Sequence, residues 1–332
     1  MGDSLVVKLL SRDEAIKHVP IWPADVSFSE TFARLQSQRY GLETGYLIVA
    51  CGGNELFFPV QWGKGSAFSV YKGHTMPCLA ESDFMNFGWR DIATKVQKLT
   101  NSDLYIADLV IPMTMSEDLK PLPSAVFIID TSQHDIDFVF STFNKTTRNL
   151  IRRSREQGFK IEVISGIMPE RYYDLFVYHQ KSMGTPPRPK EYFDEVARVF
   201  GKGFLLIGAY HNNRLVGMNL AWCADRGLWL SINSSVAEYG PKHVNYLLYY
   251  ETIRWACEHD IDRIDLGGSS TREGNIHNTF KLGFGATMSP LYRLRTGTFT
   301  ARMRDILSRK KWSLRIRLNK FIKLFKKFPE QL

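Results

Sequence analysis

The sequence predicts an α/β protein of two units in tandem, each a mixed, mostly antiparallel sheet flanked by helices, with a basic amphipathic helix at the C-terminus. Three observations carry this reading. Residues 204–295 run as three antiparallel strands, a helix, a strand, a short helix and a strand, and the first 130 residues repeat a shorter hairpin, helix and strand order. Residues 263–285 place one acid in a short apolar strand, then a Gly-Gly-Ser-Ser loop, then a brief amphipathic helix closing on Gly-Phe-Gly. Eleven of the 43 basic residues lie between 302 and 327.

The elements follow in chain order. Residues 29–38 have helical spacing behind Ser29, a capping residue type. Strands 45–50 and 55–60 are joined by Cys-Gly-Gly-Asn, a hairpin signal because such a turn needs positive φ. A helix at 87–99 and strands at 104–109 and 125–129 complete the first unit. The second opens with helices at 144–157, 169–183 and 189–200. Strands 204–210, 215–222 and 228–233 are separated by His-Asn-Asn-Arg and Ala-Asp-Arg-Gly turns. A helix at 241–259, with Pro241 in its first turn, precedes strand 263–266, the short helix and a last strand at 289–295. The expected boundaries are 1–130, 131–298 and 299–332.

A length of 332 residues fits two domains better than one core. The net charge of +9 sits in the tail, because residues outside 302–327 sum to −1. Leu314, Leu318, Phe321, Phe325 and Phe328 form an apolar stripe among the tail's cations. That pattern suits a helix lying on an anionic membrane surface. Docking on the protein itself or on RNA are the alternatives. Cys51, Cys78, Cys223 and Cys257 form no Cys-x-x-Cys pair, so a zinc site is not expected and the thiols read as buried small hydrophobes. A cleaved signal peptide is not expected from the N-terminal residues, and no apolar run reaches membrane-spanning length. The expected location is cytoplasmic, peripheral on the inner face of the membrane through residues 302–327.

The order of elements in the second unit is that of a GNAT acyltransferase core. Three segments extend the resemblance: the Arg-rich helix at 145–158 ending in Gly, the central helix at 239–256, and Ile264-Asp-Leu-Gly-Gly-Ser-Ser with Phe280-Lys-Leu-Gly-Phe-Gly. Together they resemble the FemAB-like family of tandem GNAT-fold aminoacyl and acyl transferases over about 145–295. The resemblance implies amide formation on a cell-envelope precursor or surface-polysaccharide amine. It also implies that no cofactor is permanently bound, the donor being aminoacyl-tRNA or acyl-CoA. Before the central helix the chain reads Val236-Ala-Glu-Tyr-Gly-Pro-Lys-His, not Arg/Gln-x-x-Gly-x-Gly/Ala, and has no extended helical arm, so both donors stay open.

Candidate site residues follow. Lys281 is either a surface lysine or a cation that stabilises the oxyanion formed when an amine attacks an ester or thioester. Asp265, costly in an apolar strand unless paired, either meets Arg263 or Arg254 or orients and deprotonates the acceptor amine. His277 is a candidate proton relay near neutral pH. Arg148 and Arg152 centre a cationic stripe on the Arg-rich helix, a solvated face or a phosphate clamp. Asn245 and Tyr246 lie in the first turns of the central helix and Ser269 in the loop after Asp265, all as substrate contacts. The resemblance adds Asn233 and Ser234, at the end of a strand that splays from its neighbour. Tyr249 and Tyr250 read as core. The competing functions are an acyl-CoA-dependent N-acyltransferase on an amino sugar or small molecule, and a non-enzymatic glycan-binding module held at the membrane.

Overall fold

A computed structural model describes residues 5–19, 22–71, 88–110, 119–303 and 306–307. The expected basic helix beyond residue 307 and Cys78 lie outside the described residues. The strands of the described residues join in one twelve-stranded sheet.

Its first half holds β1 (Val6–Leu10), β2 (Glu43–Cys51), β3 (Asn54–Gly63), β4 (Ser66–Tyr71) and β5 (Leu104–Leu109), in that order across the sheet. α1 (Arg12–His18), α2 (Glu30–Tyr40) and α3 (Trp89–Leu99) accompany them. The Ser29 hydroxyl caps α2 by accepting from the Phe32 N–H at 3.0 Å. Gly52 and Gly53 take φ of 59° and 79° in the β2–β3 turn, as that hairpin requires. α3 carries the chain from β4 to β5, which therefore pair in parallel.

The second half comprises β6 (Lys120–Asp130), α4 (Ile136–Thr142), α5 (Lys145–Arg155), β7 (Lys160–Ser165), α6 (Glu170–Ser182) and α7 (Lys190–Phe200). β8 (Phe204–His211), β9 (Arg214–Ala224), β10 (Gly227–Ser235), α8 (Val244–Glu258), β11 (Arg263–Asp265), α9 (Ile276–Gly283) and β12 (Thr287–Gly297) follow. The β8–β9 and β9–β10 turns put Asn212, Asn213, Asp225 and Arg226 at positive φ, residue types apart from arginine that tolerate it. α8 returns the chain so that β11 lies parallel to β10. Hairpin strands, crossover helix and parallel strand thus occur twice, as β2–β3–β4–α3–β5 and as β8–β9–β10–α8–β11.

The halves interlock. β12 leaves the second half to lie between β5 and β6, antiparallel to both. A bidentate Arg293–Asp108 pair at 2.6 and 2.7 Å fastens it to β5. α2 packs on α7, where Arg39 pairs with Glu195 and Arg34 donates to the Val199 carbonyl at 2.7 Å. One core fills the first half, and two fill opposite faces of the second half's sheet.

The helix expected from 241 begins at Val244 instead. Residues Ala237–Lys242 form a 3₁₀ turn containing Pro241, and His243 is left-handed at φ 61°. The left-handed backbone of His243 interrupts the right-handed path, so the turn cannot extend into α8 as one regular helix.

Candidate active site

The site arises because β11 is only three residues long. Its register pairs Arg263, Ile264 and Asp265 with Gly227, Leu228 and Trp229 of β10, and no further. After Asp265 the backbone turns at Gly267, whose φ of 76° favours glycine. The chain then stays with β6: the Leu266 N–H donates to the Phe127 carbonyl at 2.9 Å, and the Ser269 N–H to Ala125 at 3.0 Å. β10, with an irregularity between Leu230 and Ile232, continues beside β9 to Ser235. The two strands therefore part beyond Trp229.

A cavity of ≈ 840 Å³ occupies the opening. Asn233 and Ser235 line it from β10, Asn245, Tyr246 and Tyr249 from α8, and Gly268 and Ser269 from the loop. His277, Phe280 and Lys281 of α9 close one side, and His179 and Met183 at the end of α6 the other.

Lys281 is only 8 % exposed. Its Nζ donates to the Gly267 and Gly268 carbonyls at 2.8 and 3.3 Å and lies 5.0 Å from the centre of the Phe127 ring. An ammonium has three N–H bonds, so one remains uncommitted to oxygen. Burial brings its pKa down to about 8, against the opposing attraction of Asp265.

Asp265 does not line the cavity. It is buried, and its Oδ1 accepts from the Gly267 N–H at 2.8 Å, which holds the turn whose carbonyls grip Lys281. Arg254 does not meet it, being paired with Glu251 and Glu258 at 2.7 Å each. Arg263, whose charge is disfavoured by burial, is drawn to Asp25, Asp265 and Asp130.

His277 is exposed on the cavity rim. Its backbone N–H is capped by the Asn275 side chain at 3.0 Å. Ser269 Oγ accepts from Asn275 Nδ2 at 3.1 Å. Tyr246 sits edge-on to Phe280 at 4.8 Å and, half-buried, has its phenol pKa raised by desolvation.

Three further expected residues lie elsewhere. Ser234 is fully buried and does not line the cavity, because successive strand residues point to opposite faces and its neighbours Asn233 and Ser235 take the cavity side. Arg148 is turned back onto the end of α4, donating to the Ser141 and Phe143 carbonyls at 2.9 and 2.6 Å. Arg152 donates to Asn149 and lies over the Phe140 ring. Neither arginine lines the cavity, so the cationic stripe is not brought to this site.

Sequence reading missed His179, Ser235, Phe280 and the cavity face of Tyr249. His179 comes from a helix far away in the chain, and its Nδ1 lies 3.3 Å from the Ser235 carbonyl. It also missed two fully buried polar residues behind Asn233, namely Asn219 on β9 and Thr252 on α8. Asn219 stands out as the one amide within Leu215–Trp222, and that was the available signal. Burial raises the Cys223 and Cys257 thiols to about 12 and about 11, so neither is a nucleophile at neutral pH.

The family described as Acetyltransferase (GNAT) domain matches residues 141–281, which carry most of this cavity. Among solved structures, FemX is similar to the chain with a TM-score of 0.62 at 12% identity, over 87% of this chain and 97% of that one. A tandem GNAT protein from the clavulanic acid biosynthesis pathway gives a TM-score of 0.49 at 12% identity, over 89% and 99%. No curated protein sequence matches the chain. Residues 141–281 therefore carry an acyltransferase (GNAT) domain, set within a fold shared with FemX.

Proposed function

We propose that the protein transfers an acyl or aminoacyl group from an ester or thioester donor to an amine on a cell-envelope precursor or surface polysaccharide. The observation that carries this is the buried Lys281 ammonium, with one free N–H, in the opening between β10 and β11. The donor carbonyl lies at Lys281. The acceptor nitrogen attacks the carbonyl carbon, and Lys281 stabilises the resulting oxyanion in surroundings poor in water, where such a charge counts most. The C–N bond forms, the C–S or C–O bond breaks, and the proton lost by nitrogen ends on the leaving sulfur or oxygen. His277 at the rim is the side chain suited to relay that proton. Asp265 positions Lys281 through the Gly267 turn and does not touch the substrate.

Purified protein incubated with acetyl-CoA or with aminoacyl-tRNA, each with a panel of amino sugars and envelope precursors, tests the reading. Acceptor-dependent release of thiol or of deacylated tRNA is expected, and falls about 10²-fold or more in Lys281→Met. Ligand binding without turnover from any donor would identify a binding module instead.

The tail is the proposed membrane contact. No helix among the described residues is long and apolar enough to cross a membrane. Phe299 and Leu307 at its start are exposed, and each cation beyond them contributes about 1 kcal/mol near an anionic leaflet. Sedimentation with phosphatidylglycerol vesicles is expected, and is lost at high salt or on removal of residues after 298. Sedimentation insensitive to both would refute it.

A further inference from the structure

Acyl transfer to an amine leaves a proton to be removed from the attacking nitrogen, and few groups around the cavity are able to take it. Among the described residues the titratable side chains lining it are His179 on α6, Tyr246 and Tyr249 on α8, and His277 and Lys281 on α9. β10 contributes only Asn233 and Ser235, and the loop after β11 only Gly268 and Ser269. Desolvation raises both phenols, so they keep their protons at neutral pH. Lys281 already serves as the oxyanion's cation, and Asp265 does not line the cavity. Two imidazoles remain.

They differ in how they are held. His277 sits exposed at the rim, and among the described residues its ring makes no hydrogen bond, so neither its orientation nor its tautomer is set. His179 is half-buried in the last turn of α6, beside the end of β10 that outruns β11. Its Nδ1 lies 3.3 Å from the carbonyl of Ser235, the last residue of β10. A carbonyl only accepts, so Nδ1 carries a hydrogen in the neutral ring as well as the charged one. The lone pair of the neutral ring is then on Nε2, which has no hydrogen-bond partner among the described residues. Position matters as much as tautomer. α6 and α9 close opposite sides of the cavity, which puts His179 across from Lys281. An amine adds to a carbonyl carbon from above the carbonyl plane, while the oxygen lies in that plane, so the base and the oxyanion's partner must stand on different sides of the reacting carbon.

We infer that His179 is the general base of the transfer, its Nε2 taking the proton of the acceptor nitrogen as that nitrogen attacks the carbonyl held at Lys281. This rests on the acyl-transfer reading and adds the catalytic residue on the acceptor's side of the site. The C–N bond forms and the N–H bond breaks toward Nε2, giving an imidazolium whose Nδ1–H still donates to Ser235. The C–S or C–O bond then breaks, the leaving atom takes a proton through His277, and the imidazolium returns its proton to solvent, so protons balance over a turnover. A neutral imidazole is needed on one wall and an ammonium on the other. The rate is therefore expected to fall on the acid side as His179 is protonated and on the alkaline side as Lys281 loses its charge.

The test compares wild type, His179→Asn and His277→Asn in transfer from acetyl-CoA and from aminoacyl-tRNA to amino sugars, followed across pH. Asparagine places its Nδ2 where the imidazole has Nδ1, so the bond to Ser235 is kept and the base alone is lost. His179→Asn is expected to lower kcat about 10²-fold or more with KM unchanged, to lose the acid limb of the pH–rate profile, and to recover in part with added imidazole. An unchanged kcat overturns the assignment. So does a lowered kcat that keeps the acid limb and ignores imidazole, which is the mark of a structural role. An acid limb that disappears in His277→Asn and persists in His179→Asn gives the base to His277 and overturns it equally. Nitrogen-15 resonances of the wild-type histidine rings, with His179 assigned through its own backbone, need neither turnover nor a folded variant. A protonated Nδ1 with a bare Nε2 is expected there, and the opposite tautomer overturns the inference. A wild type that transfers from no donor overturns the acyl-transfer reading and the base with it, whereas transfer indifferent to His179→Asn overturns the base alone.

Discussion

On the proposed function, Lys281 concentrates the chemistry in one charge. Replacing it with methionine keeps the volume and removes the oxyanion's partner, so transfer is expected to fall about 10²-fold or more in single-turnover measurements. The pH dependence has a definite sign. Burial holds the folded-state pKa near 8 against an ordinary lysine value of 10.5, so the charged form is disfavoured in the folded protein. Between about pH 8 and 10.5 the unfolded chain binds more protons at this site, and stability conferred through Lys281 rises with pH across that window. Activity that needs the ammonium falls through the same window. Denaturant titrations of wild type and Lys281→Met should therefore show the wild type gaining relative stability from pH 8 to 10.5 while its rate declines. Asp265→Asn removes the charge that holds the lysine's pKa up, and the alkaline fall of the pH–rate profile is expected to move to lower pH. An unmoved profile would leave Asp265 without electrostatic influence on Lys281. The sequence marked Lys281, Asp265, His277, Asn233, Asn245, Tyr246 and Ser269 as one neighbourhood, yet it left Asp265 between an arginine partner and the cleft. A carboxylate in a strand has two faces to choose from, and the choice depends on what packs beside it.

Elements were legible where local chemistry dictates backbone. The Gly52–Gly53 and Asn212–Asn213 turns, the Ser29 cap and the β-branched strands are all decided within a few residues. Short elements were not: α4 spans seven residues, and β4 is a strand only because β3 and β5 flank it. The contact of α9 with α5 is equally invisible in sequence. Gly283 has no room for a Cβ, because Thr147 Oγ1 of α5 occupies the place. Gly283→Ala is expected to destabilise by about 1–3 kcal/mol through overpacking, despite alanine's better helix propensity. Adding Thr147→Ala should recover part of the loss, a coupling that thermal melts of the double-mutant cycle will measure. Additive effects would show that the two helices do not meet there.

At the scale of the molecule, the sheet crosses from one half to the other without a break. β12, the last strand, lies between β5 and β6, so neither half closes its own sheet. Thermal unfolding is expected as one cooperative transition, coincident by tryptophan fluorescence and far-ultraviolet dichroism. Residues 1–130 expressed alone leave β5 and β6 with bare edges and are expected to aggregate. A soluble fragment that melts cooperatively would refute this interdependence. By itself the sequence determined the strand and helix order and the residues near the Asp265–Lys281 segment, because periodicity, caps and turns act over a few residues; the acyltransferase expectation for the second half came from its resemblance to a known family. The tertiary structure alone decided that Arg148 and Arg152 face away, that Ser234 is buried behind the cavity, and that Thr252 and Asn219 orient Asn233. Those outcomes depend on which surfaces meet across the sheet, and no local pattern encodes a meeting between residues hydrogen-bonded across 33 positions of chain.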